Sequence, residues 1–319
     1  MYKLVPRLSD PIAMRAMKDR PGQLICRLAA SIVSCWLAAL LPCSAQDAAI
    51  ASPPAPPLVE EVWGLPLPLP SIAYVVHPAG NGPFPLVIMN HGVAMDPKER
   101  SFFPLVEFRE AAFWFARRGY FVVAPAGPGY GGVGMDMPKR GIHGVFFQKI
   151  GKCSNPNFRD AGLAVAGIDL ATIKYLSGRK EVVADNIIVV GQSAGGWGSI
   201  ALASQNPSMI KAVIVFAAGR GGRVDGKPNN NCNPDKLVAA TAEFGRTARL
   251  PMLWIYTEND TYFGPDLSRR MHEAFVGAGG DAEYHLVGPF GNEGHGLIDA
   301  REGVPIWSPL VSRFLDRLR

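Results

Sequence analysis

The 319-residue sequence lacks the features that define several classes of protein. It has no internal repeat, no three-residue glycine period of the collagen kind and only 5 cysteines. Hydrophobic residues make up 48% of it and charged residues 18%, a composition that excludes a wholly disordered chain. These absences leave a globular protein, whose length allows one large α/β domain or two small domains.

The sequence also lacks an excess of charge outside its N-terminus. The formal net charge is +5, but six basic and two acidic residues fall within residues 1–45, which leaves 26 basic and 25 acidic residues in the remainder. A protein that binds nucleic acid needs a surface excess of positive charge to neutralise phosphates. We therefore expect no nucleic-acid partner.

One long apolar run is present, and it lies near the N-terminus. Leu24–Leu41 follows a segment rich in lysine and arginine and is followed by Pro42 and the small residues Cys43-Ser44-Ala45. This order predicts a secretory signal peptide over residues 1–45 and an exported protein, periplasmic or secreted, whose mature chain begins at Gln46. The start codon could be any of three methionines: Met1, Met14 or Met17.

Two alternatives to a cleaved signal peptide remain open. The 18-residue run is near the minimum length that spans a bilayer, so an uncleaved membrane anchor is one alternative. A lipoprotein modified at Cys43 is a weaker one, because Pro42 stands where a small residue is expected. We expect cleavage, and no stable membrane insertion afterwards, because Arg27 interrupts the run.

Signal cleavage would leave only two cysteines, Cys153 and Cys232, both in polar segments rich in proline or asparagine. Two cysteines in an exported protein favour a disulfide, here one that joins two long loops, with two free thiols as the alternative. No histidine or third cysteine lies at ligand spacing beside either residue, so we expect no metal site.

The mature chain divides into a Pro-rich tether, residues 46–58, and one folded domain, residues 59–319. Within the domain, short β-branched runs alternate with longer amphipathic stretches, which predicts a doubly wound, mostly parallel α/β sheet. The predicted strands are Val59–Trp63 as an antiparallel edge, Ile72–His77, Leu86–Asn90, Tyr120–Pro125, Ile187–Gln192, Ala212–Phe216, Met252–Thr257 and Ala282–Val287. The predicted helices are Leu105–Arg118, Phe158–Leu176, Ala194–Ser204, Pro234–Ala248, Pro265–Ala278 and Ser308–Leu318.

The strongest chemical motif is Gly191-Gln192-Ser193-Ala194-Gly195, which follows an apolar strand and leads into a helix. In this context the pattern G-x-S-x-G indicates a nucleophile elbow, a tight turn that holds Ser193 above the edge of the sheet. Glycines two residues before and after the serine let neighbouring backbones approach closely. The helix that follows directs N–H groups toward negative charge developing near Ser193.

A serine nucleophile needs an imidazole base that is oriented by an acid, and in this architecture the acid and then the histidine follow it in the chain. Of the three later histidines, His295 lies in a glycine-rich loop after the last strand, whereas His272 and His285 lie in a helix and a strand. Asp260 directly follows a buried strand and is the predicted acid, with Glu258 as its competitor.

The remaining site predictions concern the oxyanion hole and the substrate. We expect N–H donors from Ala194 and from Val93, which follows the Asn90-His91-Gly92 turn after an earlier strand. The glycine-rich segment Gly127–Gly134 is predicted to line the pocket, with Tyr130 as a substrate contact. Trp197, beside the elbow, is either a pocket wall that contacts substrate or a core residue.

Four ordered motifs resemble the α/β-hydrolase superfamily, specifically its dienelactone-hydrolase-like branch. They are GPFPLVIMNHG, GQSAGG, LWIYTENDTYFGP and FGNEGHG, and they extend over roughly residues 70–300. The resemblance implies an eight-stranded sheet, a nucleophile–Asp–His triad and hydrolysis of esters or lactones without metal or organic cofactor. The chain departs from dienelactone hydrolase proper in having Ser193 where that enzyme has cysteine.

The sequence therefore predicts an exported serine hydrolase that cleaves a small-molecule carboxylic ester through Ser193, His295 and Asp260. Two alternatives remain: a serine peptidase acting on small peptides, and a catalytically silent binding protein on the same scaffold.

Overall fold

A computed structural model gives the fold, and the structure describes residues 56–69, 71–93, 105–127, 130–131 and 150–318. The predicted signal peptide and nearly all of the predicted tether lie outside the described residues. The same holds for most of the segment Gly127–Gly134. Export and signal cleavage therefore stay predictions.

Eight strands form a single sheet in the order β1-β2-β4-β3-β5-β6-β7-β8. Their bounds are β1 Leu58–Leu65, β2 Ser71–Pro78, β3 Phe84–Asn90, β4 Phe121–Pro125, β5 Val182–Gln192, β6 Ile210–Phe216, β7 Met252–Thr257 and β8 Ala282–Val287. β1 pairs antiparallel with β2 and β2 antiparallel with β4, and all other pairs are parallel. The predicted doubly wound, mostly parallel sheet with an antiparallel edge is confirmed.

The described helices are α1 Arg109–Ala116, α2 Phe158–Leu176, α3 Ser193–Ala203, α4 Pro234–Gly245, α5 Pro265–Gly277 and α6 Val304–Asp316. Two of them begin four residues away from their predicted starts. α1 starts four residues later than Leu105, because Phe108 adopts a left-handed backbone with φ 56°. α6 starts at Val304 instead of Ser308, with Pro305 in its first turn, and it continues through Pro309. Among the described helices, none is long and apolar enough to cross a bilayer.

The sheet separates two apolar layers, one on each face. On one face the helices α2 to α5 pack around fully buried side chains such as Trp197 and Phe275. On the other face α1 and α6 bring together Trp114, Phe115 and Trp307. The central strands are buried on both faces, and this explains their continuous apolar sequences. Because strands β3 to β8 run parallel, their carboxyl ends all lie at the same edge of the sheet.

The predicted disulfide between Cys153 and Cys232 is present and links positions 79 residues apart. It joins the segment before α2 to the loop before α4. Hydrogen bonds flank it: the Asn233 side-chain amide donates to the Cys153 carbonyl at 3.2 Å, and the Cys232 N–H donates to the Gly221 carbonyl at 2.8 Å. The bond thus holds the loop between β6 and α4 against the start of α2.

Loss of this disulfide should lower the free energy of unfolding. Because the cross-link closes a long loop in the unfolded chain, we expect Cys232→Ser to destabilise the protein by about 4 kcal/mol. Chemical denaturation of the mature protein measures the change, and oxidised protein treated with a thiol reductant should show a similar loss. Equal denaturation midpoints with and without reductant would contradict this account.

Candidate active site

Ser193 lies at the turn between β5 and α3, and its backbone is left-handed with φ 53°. The turn brings main chains into close contact. A Cβ on Gly191 would lie 2.7 Å from the Gly195 carbonyl oxygen, and one on Gly195 would overlap the Asn90 carbonyl. The two glycines of the motif are therefore required by packing, and Ser193 is held as in a nucleophile elbow.

The loop after β3 lies directly against Ser193. A Cβ on Gly92 would lie 3.1 Å from the Ser193 Cβ and 3.5 Å from its Oγ. Val93, the next residue, lines the same small cavity as Ala194 at the start of α3. The first N–H groups of a helix have no partner within it, so the Ala194 N–H is available to a ligand. The structure thus brings the two predicted oxyanion donors to the walls of one cavity.

His295 and Asp260 meet at the same edge of the sheet. The His295 Nδ1 lies 3.1 Å from Asp260 Oδ2 and 3.2 Å from Oδ1, and the Asp260 side chain is fully buried. Asp260 Oδ1 also accepts the N–H groups of Tyr262 at 2.7 Å and Phe263 at 3.0 Å. These bonds fix the orientation of the carboxylate, which in turn directs the imidazole. Glu258, the predicted competitor, is exposed and makes none of these contacts.

Glu293 makes hydrogen bonds to the loop that carries His295. Its carboxylate accepts the His295 N–H at 3.2 Å and the Thr261 N–H at 3.0 Å, and it also accepts a short hydrogen bond from the Thr261 hydroxyl. Arg223 approaches the same carboxylate at 3.4 Å. Glu293 therefore connects the histidine loop, the acid loop and the loop after β6.

Two amide side chains complete these connections. Asn259 accepts the Phe290 N–H at 2.8 Å and donates to the Phe290 and Gly291 carbonyls, both at 3.1 Å. Gln192, the residue before Ser193, donates to the His295 carbonyl at 3.1 Å and thereby connects the serine turn to the histidine loop. Sequence reasoning assigned no role to Asn259, Gln192 or Glu293, although all three lie within the quoted motifs.

Tyr262 stacks on the imidazole of His295. The ring centroids are 4.0 Å apart and the ring planes differ by 21°. The Arg223 guanidinium lies 5.1 Å from the centroid of the same tyrosine ring. The imidazole is therefore fixed by Asp260 at its edge and by an aromatic ring on its face, an arrangement that restricts rotation about its side-chain bonds.

His91 holds the loop after β3 in place. Its Nε2 accepts the Gly127 N–H at 2.7 Å, and its Nδ1 donates to the Gly92 carbonyl at 2.6 Å, which assigns the neutral tautomer. Burial lowers the pKa of His91 to about 4. Tyr130 packs edge-on against this ring with centroids 4.7 Å apart and is 2% exposed. Neither its exposure nor the cavity lining supports the predicted substrate contact at Tyr130.

Of the two alternatives for Trp197, the structure supports a core residue and not the predicted substrate contact. Its side chain has no exposed surface, and its indole N–H donates to the Phe158 carbonyl at 2.8 Å. Phe158 and Phe244 pack against its ring. Helix α3 is buried on nearly all sides, so a residue near Ser193 in sequence can still face the core.

A small cavity of about 40 Å³ adjoins Val93 and Ala194, the predicted oxyanion donors. Its described lining residues are Asn90, His91, Val93, Pro125, Gly127, Val165, Ile168, Asp169, Ala194, Gly195 and Arg220. Asp169 is 2% exposed, and its Oδ2 accepts a hydrogen bond of 2.8 Å from Asn90, which also donates to Ser199 at 3.1 Å. Burial raises the pKa of Asp169 to about 8.

Sequence reasoning missed Asp169, yet a signal was present. It lies in α2 in register with the buried residues Gly162, Ala166, Ile173 and Leu176, so a carboxyl group occupies an apolar helical face. In the described part of the chain, no group of three or more His, Cys, Asp or Glu residues is arranged to hold a metal ion.

A model of the dienelactone hydrolase family matches residues 73–304. The chain belongs to this family. No curated protein sequence matches it significantly. The match includes Ser193, Asp260 and His295, so the resemblance stated from four motifs is confirmed, and the protein is a dienelactone hydrolase family member with a hydrolase fold.

Solved structures share the fold of this family member at low sequence identity. A Klebsiella pneumoniae protein designated a dienelactone hydrolase is 17% identical with a TM-score of 0.54, and the match covers 81% of this chain and 99% of that one. An esterase from Pyrococcus furiosus is 14% identical with a TM-score of 0.55, covering 82% and 93%. A Mycobacterium tuberculosis puromycin-hydrolysing peptidase is 16% identical with a TM-score of 0.53, covering 80% of this chain but only 39% of its own.

The stack of Tyr262 on His295 should affect the reactivity of Ser193. We expect Tyr262→Leu to lower the rate constant for labelling by a fluorophosphonate about tenfold, because the imidazole loses the ring that fixes its plane. Tyr262→Phe keeps the aromatic face and should stay within about twofold of the wild type. Equal rates for the leucine and phenylalanine variants, with unchanged melting temperatures, would show that the stack is dispensable.

Asp169 should make the stability of the fold depend on pH. Its pKa is about 8 in the folded protein and near its ordinary value of 3.8 in the unfolded chain, so the folded state retains a proton that the unfolded state releases. The stabilising contribution is full below 3.8 and is lost as the pH rises through about 8. We expect Asp169→Asn to be more stable than the wild type, by a margin that grows across this interval.

Chemical denaturation at several pH values measures that margin. Asp266→Asn is the matched control, because the Asp266 side chain is 99% exposed and should give no comparable trend. A margin that is constant or shrinks with rising pH would contradict the assignment of a proton to buried Asp169.

Proposed function

We propose that this protein is an exported serine hydrolase that cleaves small carboxylic esters through an acyl-enzyme intermediate. Two observations carry the proposal: Gln192, the neighbour of the elbow serine, donates to the His295 carbonyl at 3.1 Å, and the Asp260 carboxylate beside the His295 imidazole is oriented by two backbone N–H groups. Hydrolase chemistry is common to the family, and the ester bond and the roles of the residues are the proposal.

In the proposed reaction, Ser193 Oγ attacks the carbonyl carbon of the ester. His295 takes the hydroxyl proton at Nε2, the ring nitrogen that Asp260 does not engage, while its Nδ1–H donates to Asp260. The Ala194 and Val93 N–H groups stabilise the oxyanion. His295 then returns the proton to the departing alcohol, and water activated by the same imidazole releases the acid and restores the serine hydroxyl.

One feature favours an ester over a peptide. The described cavity beside the proposed oxyanion donors is small, about 40 Å³, which suits a short acyl group better than an amino-acid side chain and its flanking backbone. A serine peptidase therefore ranks below an esterase and becomes an outcome of the experiment.

Replacement of the nucleophile tests the proposal. We expect Ser193→Ala to lower kcat for p-nitrophenyl acetate by at least about 10⁴-fold, since the variant lacks the oxygen that forms the acyl-enzyme. Ser208→Ala is the control, because Ser208 is exposed and outside the site. Retained turnover in Ser193→Ala would remove the triad assignment.

A substrate panel decides the bond that is cleaved. The wild type should hydrolyse acetyl, propionyl and butyryl esters faster than octanoyl esters, and all of them faster than aminoacyl-p-nitroanilides. Faster cleavage of the anilides would establish the peptidase. Folded wild-type protein that neither turns over nor reacts with a fluorophosphonate would establish the silent binding protein.

Export rests on the N-terminal sequence and is supported by the Cys153–Cys232 disulfide, because such bonds persist in oxidising compartments. We expect expression of the full chain in a Gram-negative host to yield protein outside the cytoplasm whose N-terminus is Gln46. N-terminal sequencing and cell fractionation provide the measurement. Protein that stays in the cytoplasm with residues 1–45 intact would contradict export.

A further inference from the structure

The cavity beside the oxyanion donors is bounded by two parts of the fold. Val93 and Ala194, the proposed oxyanion donors, lie on one wall, and Val165, Ile168 and Asp169 of α2 lie on another. A carbonyl oxygen held by the two N–H groups would therefore place a substituent of the same carbonyl carbon at this cavity. This step rests on the proposed function.

The substituent at the cavity is the acyl chain and not the alcohol. The alcohol leaves with a proton from His295, so it must lie on the side of the loop that follows β8. The described lining of the cavity includes no residue of that loop and neither His295 nor Asp260. The acyl chain is the part of the substrate that points away from the base.

Asp169 is the polar residue in a wall of the cavity whose other described α2 side chains are apolar. Asp169 is 98% buried, and Asn90 donates to its Oδ2 at 2.8 Å. Among the described residues, no group makes a hydrogen bond to Oδ1. Because Asp169 lines the cavity, a polar group on a ligand there can form a hydrogen bond with this oxygen.

The protonation state of Asp169 indicates the kind of group. Burial raises its pKa to about 8, so the side chain is a neutral acid near neutral pH and offers both an O–H donor and a carbonyl acceptor. A hydroxyl group is likewise both donor and acceptor. An ammonium group would instead require the ionised form, which the apolar surroundings disfavour.

We propose that this cavity receives the acyl chain of the substrate and that Asp169 binds a hydroxyl group on that chain, so that short hydroxyacyl esters are the preferred substrates. The volume of about 40 Å³ exceeds the roughly 10–15 Å³ that one water molecule needs, and it admits a group of a few heavy atoms. The lactyl and 3-hydroxybutyryl groups are of this size.

Arg220 indicates a second class of substrate that competes with the hydroxyacyl esters. It also lines the cavity, is 8% exposed and belongs to the loop after β6. A guanidinium group favours a carboxylate, so an acyl chain that ends in a carboxylate is the competing class. The ester panel must therefore contain both kinds of polar group.

The test compares matched esters that differ only in the polar group. The pairs are ethyl lactate with ethyl propionate, and ethyl 3-hydroxybutyrate with ethyl butyrate, with monoethyl succinate as the carboxylate arm, all followed by titration of released acid. We expect the wild type to favour at least one hydroxylated ester by about tenfold in kcat/KM. Asp169→Leu should abolish that ratio, and Asp169→Asn should retain much of it, because the amide also donates and accepts.

Ile168→Leu is the matched control, since Ile168 lines the same cavity and carries no polar group. It should change the rates on both members of a pair together and leave their ratio intact. If Asp169 only supports Asn90, its replacement would likewise lower both rates equally, and that result would overturn the proposal. A wild type without hydroxyl preference, or one that favours the succinate ester, would also overturn it, even if the leucine variant fails to fold.

Failure of this inference is distinguishable from failure of the proposed function. An enzyme that hydrolyses unsubstituted esters through Ser193 but ignores the hydroxyl group leaves the esterase proposal intact. Protein that hydrolyses none of the esters and does not react with a fluorophosphonate removes both.

Discussion

The site depends on a close contact between two backbones at the carboxyl edge of the sheet. The turn after β5 and the loop after β3 approach until Gly195 touches the Asn90 carbonyl and Gly92 touches Ser193. Neither contact leaves room for a side chain. Because adjacent parallel strands carry both segments, their pairing sets the distance between Ser193 and the proposed oxyanion donors.

Much of the fold could be predicted because its signals are local. Strands β7 and β8 have the predicted bounds, since each is a short run flanked by proline, glycine or an acidic residue. Strand β5 begins five residues before its predicted start, because Asp185 and Asn186 look like turn residues although their backbone continues the strand. The start of α1 could not be predicted either, since nothing in the sequence indicates a left-handed backbone at Phe108.

The candidate site, too, could be predicted only where its signals are local in the sequence. Ser193, Asp260 and His295 are marked by motifs whose meaning comes from the strand or loop that bears them. The supporting contacts are not marked in this way. Glu293 reaches Thr261 across 32 positions, and Gln192 reaches His295 across 103, so these pairs exist only once the loops have folded. Trp197 shows the converse, since closeness in sequence to the elbow did not place it in the site.

The left-handed backbone of Ser193 opposes the proposed catalytic activity to thermal stability. A non-glycine residue in this conformation carries strain of about 1 kcal/mol, which glycine would relieve at the same position. Selection for resistance to heat alone would therefore favour loss of the hydroxyl group. A directed-evolution campaign on this scaffold that ranks clones by melting behaviour without an activity screen would drift toward inert proteins.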